Sequence, residues 1–235
     1  MKIEQVLFTC LLLAVAGAAA GALGGRETVS PQDIEGFTSI SLEVNGQLLL
    51  VQGDMDSLAI EASPSDLSRI VAEVRAGTLH IAKNQATPSP VGPVTYRVTA
   101  RIIKGLETHS SGTIRAKTIA TDTLRIAIQS SGSITVDSLT ASQLEVVISS
   151  SGNCTLAGQV DRQVIRISSS GGYQAGKLES REAKIQVTSS GDSTVRVAES
   201  LEALISSSGD IRYYGDPPRG TSRLTSSGQL IRMGM

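Results

Sequence analysis

Seven serine pairs are the residues of this sequence whose type and spacing first suggest chemistry. The tripeptide Ser-Ser-Gly closes at Gly112, Gly132, Gly152, Gly171, Gly191, Gly209 and Gly228, at intervals of 20, 20, 19, 20, 18 and 19 residues. A serine becomes a nucleophile only with a base in reach, and the chain holds two histidines, His80 and His109. His109 precedes Ser110-Ser111, but neighbours along a strand point to opposite faces. The pairs therefore read as turns, and no catalytic residue is assigned.

Asn153, Asp192 and Asp210 each follow a motif glycine directly. Two carboxylates stacked on adjacent repeats repel, and Ca²⁺ between them would relieve that, but Ca²⁺ takes about six or more oxygens. The column members flanking the two aspartates, Gly172 and Gln229, supply too few, so the expectation is no metal and no cofactor. A polysaccharide lyase or hydrolase, or a glycan-binding sensor, is the alternative function to hold open. An enzyme of that kind needs acids clustered with Arg or Lys on one face, whereas Arg125, Arg166 and Arg212 are interspersed with Glu145, Gln186 and Glu202. That pattern reads as solvated charge, and the chain is expected not to be an enzyme. Cys154 falls in an apolar column and reads as a small buried hydrophobe.

The elements that must position the motif follow from columns counted from each glycine. Four residues before it stand Thr108, Ile128, Ile148, Ile167, Val187, Ile205 and Leu224, and six before it Leu106, Ile126, Val146, Ile165, Ile185, Ala203 and Ser222. Two after it stand Ile114, Ile134, Cys154, Tyr173, Ser193, Ile211 and Leu230. The places between are mostly polar. A period of two means strands with one inward face. One such unit is too thin to bury that face alone, and stacking solves the problem. The predicted fold is all-β: a parallel β-helix, or β-solenoid, of about 19–20 residues per coil. Seven coils at the strand spacing of about 4.8 Å make a rod roughly 30 Å long. The motif is expected at a corner, its glycine there for positive φ. The first serines (Ser110, Ser130, Ser150, Ser169, Ser189, Ser207 and Ser226) are expected to point inward as a hydrogen-bonded ladder.

The outward positions make the one surface worth naming. Three residues before the glycine stand His109, Gln129, Ser149, Ser168, Thr188, Ser206 and Thr225. One before it stand Ser111, Ser131, Ser151, Ser170, Ser190, Ser208 and Ser227. Together they predict an uncharged hydroxyl strip that offers many weak hydrogen bonds to surface glycans or envelope proteins.

Outside the repeat, residues 36–104 read as an N-terminal β-rich capping module, with the solenoid over 105–235. Phe37 to Val44 and Gln47 to Val51 alternate around Asn45-Gly46, which predicts a hairpin. Further strands are expected at Ser57 to Ala62, Val71 to Ala76, Thr78 to Lys83 and Val94 to Ile103, with a helical turn after Pro64 and a proline-rich loop over 85–93. Residues 1–22 read as a signal peptide, apolar from Val6 to Val15 and then Ala- and Gly-rich. No membrane span is expected after cleavage. A net charge of −1, from 21 basic and 22 acidic residues, argues against nucleic acid. A homo-oligomer through the rod ends is a further expectation.

Phe37-x-x-Ile40 with Gly46, then Gln52-Gly53-Asp54, Gly77-Thr78-Leu79-His80-Ile81, the Ser-Gly coils and Tyr214-Gly215-Asp216-Pro217 occur in an order that resembles the head GIN domain family. The resemblance spans roughly residues 36–233. It implies a β-helix-like fold and an exported, periplasmic or cell-surface protein related to bacterial adhesin heads. It implies no established activity.

Overall fold

The computed structural model describes residues 26–30, 34–90 and 92–234. The expected signal peptide, residues 1–22, lies outside them. The fold is a β-solenoid of about six turns. Its elements in chain order are β1 (Glu27–Val29), β2 (Ser39–Leu42), β3 (Gln47–Gln52), β4 (Ser57–Ala62), α1 (Pro64–Leu67), β5 (Ile70–Arg75), β6 (Thr78–Lys83), β7 (Thr95–Ala100) and β8 (Gly105–Thr108). The long bent strands follow: β9 (Thr113–Ile128), β10 (Ser133–Ile148), β11 (Asn153–Ile167), β12 (Gly172–Val187) and β13 (Asp192–Ile205). Short β14 (Ile211–Tyr214), β15 (Arg219–Leu224) and β16 (Leu230–Arg232) end the series.

From β9 to β13 each repeat is one strand that pairs in parallel with the repeats on either side. The parallel register stacks like positions on like. Tyr96, Leu48, Ile114, Ile134, Cys154, Tyr173, Ser193, Ile211 and Leu230 form one continuous inward column. From Tyr96 to Ile211 every member is buried. With few rings available, packing rests on Ile, Leu, Val and Ala whose faces are covered by the coils above and below. In the last coil the columns open: all of β15 is exposed, Leu224 at 42 %.

The predicted hairpin at Asn45-Gly46 does not form. Strand β2 pairs in parallel with β6 and β8, and β3 pairs in parallel with β7 and β9. These two strands are a coil of the solenoid, and Gly46 is its corner, two residues before Leu48 as Gly112 is two before Ile114. Asn-Gly between alternating runs suits either geometry, and burying Leu48 and Leu50 between two neighbouring coils favours the corner. Parallel ladders therefore cross residue 105, with β8 on β2 and β9 on β3. Antiparallel strands occur at the far end, where β4 lies on β7, β5 on β6 and β1 on β4. The helical turn α1 forms as expected, with the Ser63 hydroxyl accepting from the Asp66 N–H at 3.2 Å.

Two expectations for the corner are corrected. The motif glycines do not have positive φ, which among described glycines occurs at Gly36, Gly46, Gly77, Gly158 and Gly215. They are required for lack of space. A Cβ on Gly152 would stand 2.6 Å from the Gly132 carbonyl oxygen and 2.7 Å from that of Ser130, and the next coils repeat the geometry. The glycine shares the parity of the inward columns, so its side chain would enter the gap between coils. The first serines do not form a ladder either. They are half-buried, or exposed at Ser226, and no hydrogen bond joins one hydroxyl to the next among the described residues. The backbone holds the corner instead: Ser133 donates to Gly112, Asn153 to Gly132 and Gly172 to Gly152, each at 3.1 Å.

Candidate functional site

The hydroxyl strip lies where the sequence reading put it. Ser111, Gln129, Ser131, Ser149, Ser151, Ser168, Ser170, Thr188, Ser190, Ser206, Ser208, Thr225 and Ser227 are all exposed. The parallel register aligns them along one edge of the stack. Gln129 donates its backbone N–H to the Thr108 carbonyl, Ser149 to Ile128 and Ser206 to Val187, each at 3.0 Å. The backbone of the strip is thereby tied to the coil beneath, and the side chains face solvent, with the Thr188 and Thr225 hydroxyls also donating to the Ile167 and Ile205 carbonyls at 3.4 Å.

The histidines are engaged elsewhere. His80 Nδ1 lies 2.8 Å from Glu43 Oε1, and His109 Nε2 lies 3.4 Å from Glu107 Oε2. Neither ring bonds a serine hydroxyl among the described residues. Between Asp192 and Asp210, the two carboxylates that a Ca²⁺ would have to bridge, stands the Arg212 guanidinium, 3.6 Å from one carboxylate and 3.0 Å from the other. The interspersed charges form ladders: Glu145 bridges Arg125 at 2.6 Å and Arg166 at 2.5 Å, and Lys184 meets Glu202 at 2.7 Å. Such exposed pairs contribute little each. Cys154 is buried, and burial pushes its thiol far above the ordinary range, which leaves it protonated.

A second surface, which the sequence reading missed, is concave. Five residues after each glycine the outward column runs Lys117, Asp137, Ala157, Gly176, Arg196 and Tyr214. The small pair in its middle leaves a notch of about 670 Å³, with Asp137 toward one end, Arg196 and Tyr214 at the other, and Lys177 beside Gly176 on the coil next to that of Arg196. The row two residues earlier in each coil, Thr135, Thr155, Gln174 and Thr194, lines its length. The backbone is irregular here. Register shifts occur between Val136 and Leu139, between Thr155 and Ala157, and between Ala175 and Glu179. Gly158 sits at this bulge with φ +122, and a Cβ there would strike the Leu139 backbone. Bulges re-aim side chains and are common beside sites. The column identities alone carried the signal: two small residues between charged and aromatic ones.

Behind the notch the core turns polar. Tyr173 Oη donates to Gln163 Oε1 at 2.9 Å, and Gln163 Nε2 donates to Ser180 Oγ at 2.7 Å. Ser180 Oγ donates in turn to the Arg196 carbonyl at 2.7 Å. Burial raises the Tyr173 phenol well above its ordinary value, with the nearby Cys154 a lesser cause. This chain of bonds fixes the backbone that carries Arg196.

Comparison with known proteins gives a consistent family. The family described as "Putative auto-transporter adhesin, head GIN domain" matches residues 36–217. Among solved structures, a "putative adhesin" from Bacteroides fragilis is similar with a TM-score of 0.83 at 20% identity, covering 90% of this chain and 98% of that one. A "putative lipid binding protein" from Parabacteroides distasonis is similar with a TM-score of 0.73 at 21% identity, covering 90% and 98%. A further "putative adhesin" from Parabacteroides distasonis reaches 0.69 at 19% identity, covering 88% and 96%. At these identities the likeness is one of fold. No curated protein matches significantly.

Proposed function

The chain belongs to the head GIN domain family, and from that premise we propose that it is an exported, non-enzymatic protein with an adhesive or surface-binding role in the bacterial envelope. The observation that carries this reading is the continuous exposed strip of hydroxyls and amides, Ser111 to Ser227, aligned by the parallel register. A row of uncharged donors and acceptors at the coil spacing of about 4.8 Å suits an extended partner gripped by many weak bonds. Surface glycans are the class of partner it fits best. The engagement of both histidines with glutamates supports a binding role over a nucleophilic one. Among the described residues no helix is long and apolar enough to cross a membrane.

The test is a glycan array probed with the labelled protein. Neutral glycans should be retained by wild type and lost when Ser131, Ser151, Ser170 and Ser190 are all changed to Glu. An array on which wild type and this variant give the same pattern would remove the strip from the function.

A further inference from the structure

The notch stands apart from the charge ladders on the neighbouring faces. On the faces around it Arg125, Arg166, Arg181, Lys184 and Arg212 all pair with carboxylates. Arg196 and Lys177 form no ion pair among the described residues, and both line the cavity. Arg196 is nevertheless held in place. Its Nε donates to the Gly176 carbonyl at 3.0 Å, and its guanidinium carbon lies 4.9 Å from the centre of the Tyr214 ring. Its backbone carbonyl is anchored by Ser180. Glu179, its partner in the register, does not line the notch. The two Nη groups are thus left over on a rigid fork, the form in which arginine binds a carboxylate through two bonds with little ordering cost.

Thr135, Thr155, Gln174 and Thr194 extend away from that fork, one from each of four successive coils. They offer hydroxyls and an amide at intervals of about 4.8 Å, a spacing close to the length of one pyranose unit in an extended chain. Asp137 at the far end disfavours a second carboxylate there. A peptide would seek an open strand edge or apolar pockets, and the coils flanking the notch are paired on both sides.

We propose that this notch binds an acidic oligosaccharide, with the carboxylate of one sugar on Arg196 and Lys177 and the neighbouring neutral hydroxyls on the Thr/Gln row. The site is separate from the hydroxyl strip, so either can fail without the other. The experiment is calorimetric titration of the full chain, in buffer containing a chelator, with tetragalacturonate, cellotetraose and a short polyglutamate. Saturable, salt-sensitive binding of tetragalacturonate alone is expected. Arg196→Gln should weaken it about tenfold or more, Lys177→Gln several-fold, and Gly176→Leu should abolish it by filling the space beside Tyr214 and Thr194. Lys177 is exposed, so K177Q keeps the test open if another variant fails to fold. Equal affinity for cellotetraose or polyglutamate would overturn the proposal. So would no binding up to about 1 mM, or unchanged binding by K177Q and G176L.

Discussion

The same coils carry two outward surfaces built by opposite rules. At the Ser-Ser-Gly corner every coil does the same thing, and the result is a flat row of small polar groups. At the notch each coil does something different: Asp137, Ala157, Gly176, Arg196 and Tyr214 succeed one another, and the ladder register slips beside them. Repetition produces a scaffold because stacked identical positions solve the packing problem once for all coils. A shaped, charged cavity appears only where the repetition is broken. The core follows suit. In the column Leu124, Leu144, Gln163, Ala183 and Leu201 the other members pack as plain hydrocarbon, and Gln163 alone brings hydrogen bonds.

The largest effect should come from breaking the rule of the corner. Gly152→Val places a side chain against the Gly132 and Ser130 carbonyls between two coils. A loss of about 3 kcal/mol or more is expected, or no folded protein at all. Gly220→Ala is the control, since a Cβ there meets nothing within 4 Å. Its midpoint in urea should match wild type. If Gly152→Val melted like wild type, the corner would not be the packed element described here.

The corner was legible in the sequence because parity and spacing recur, and seven recurrences of Ser-Ser-Gly leave one solution. The reason for the glycine was not legible. Positive φ and lack of space both select glycine, and only the distance to the carbonyls of the previous coil separates them. The Gly46 corner escaped because Val44-Asn45 stands in place of Ser-Ser, and because its neighbouring coil, β6 to β7, comes later in the chain than the coil it supports. The notch escaped for a different reason. Ala157 and Gly176 are ordinary residues in a list of polar positions, and they become a cavity only when stacked between Asp137 and Arg196.

A smaller effect should distinguish the two surfaces by function. Tyr173→Phe removes the donor to Gln163 Oε1 and leaves a buried amide oxygen unpaired. A loss of about 1–3 kcal/mol is expected in chemical denaturation. Because the network ends on the Arg196 carbonyl, the variant should also bind tetragalacturonate more weakly while its glycan-array pattern through the strip stays unchanged. A parallel loss on both surfaces would mean that the core polarity serves the whole stack and not the notch.

The smallest effect should have the opposite sign. Ser193 lies in the inward column between Tyr173 and Ile211, and its Oγ is buried with no hydrogen-bond partner among the described residues. A hydroxyl in that position has given up water and gained nothing. Gln163 and Ser180 show what a satisfied polar group in this core looks like. Ser193→Ala removes the unpaired group and opens a space no larger than the oxygen it held. The protein should become more stable, by up to about 1 kcal/mol, with tetragalacturonate affinity unchanged because no bond to the notch is cut. A loss of stability in that variant would mean that the hydroxyl has a partner in solution, and that the polar core extends one coil further than the Tyr173–Gln163–Ser180 chain.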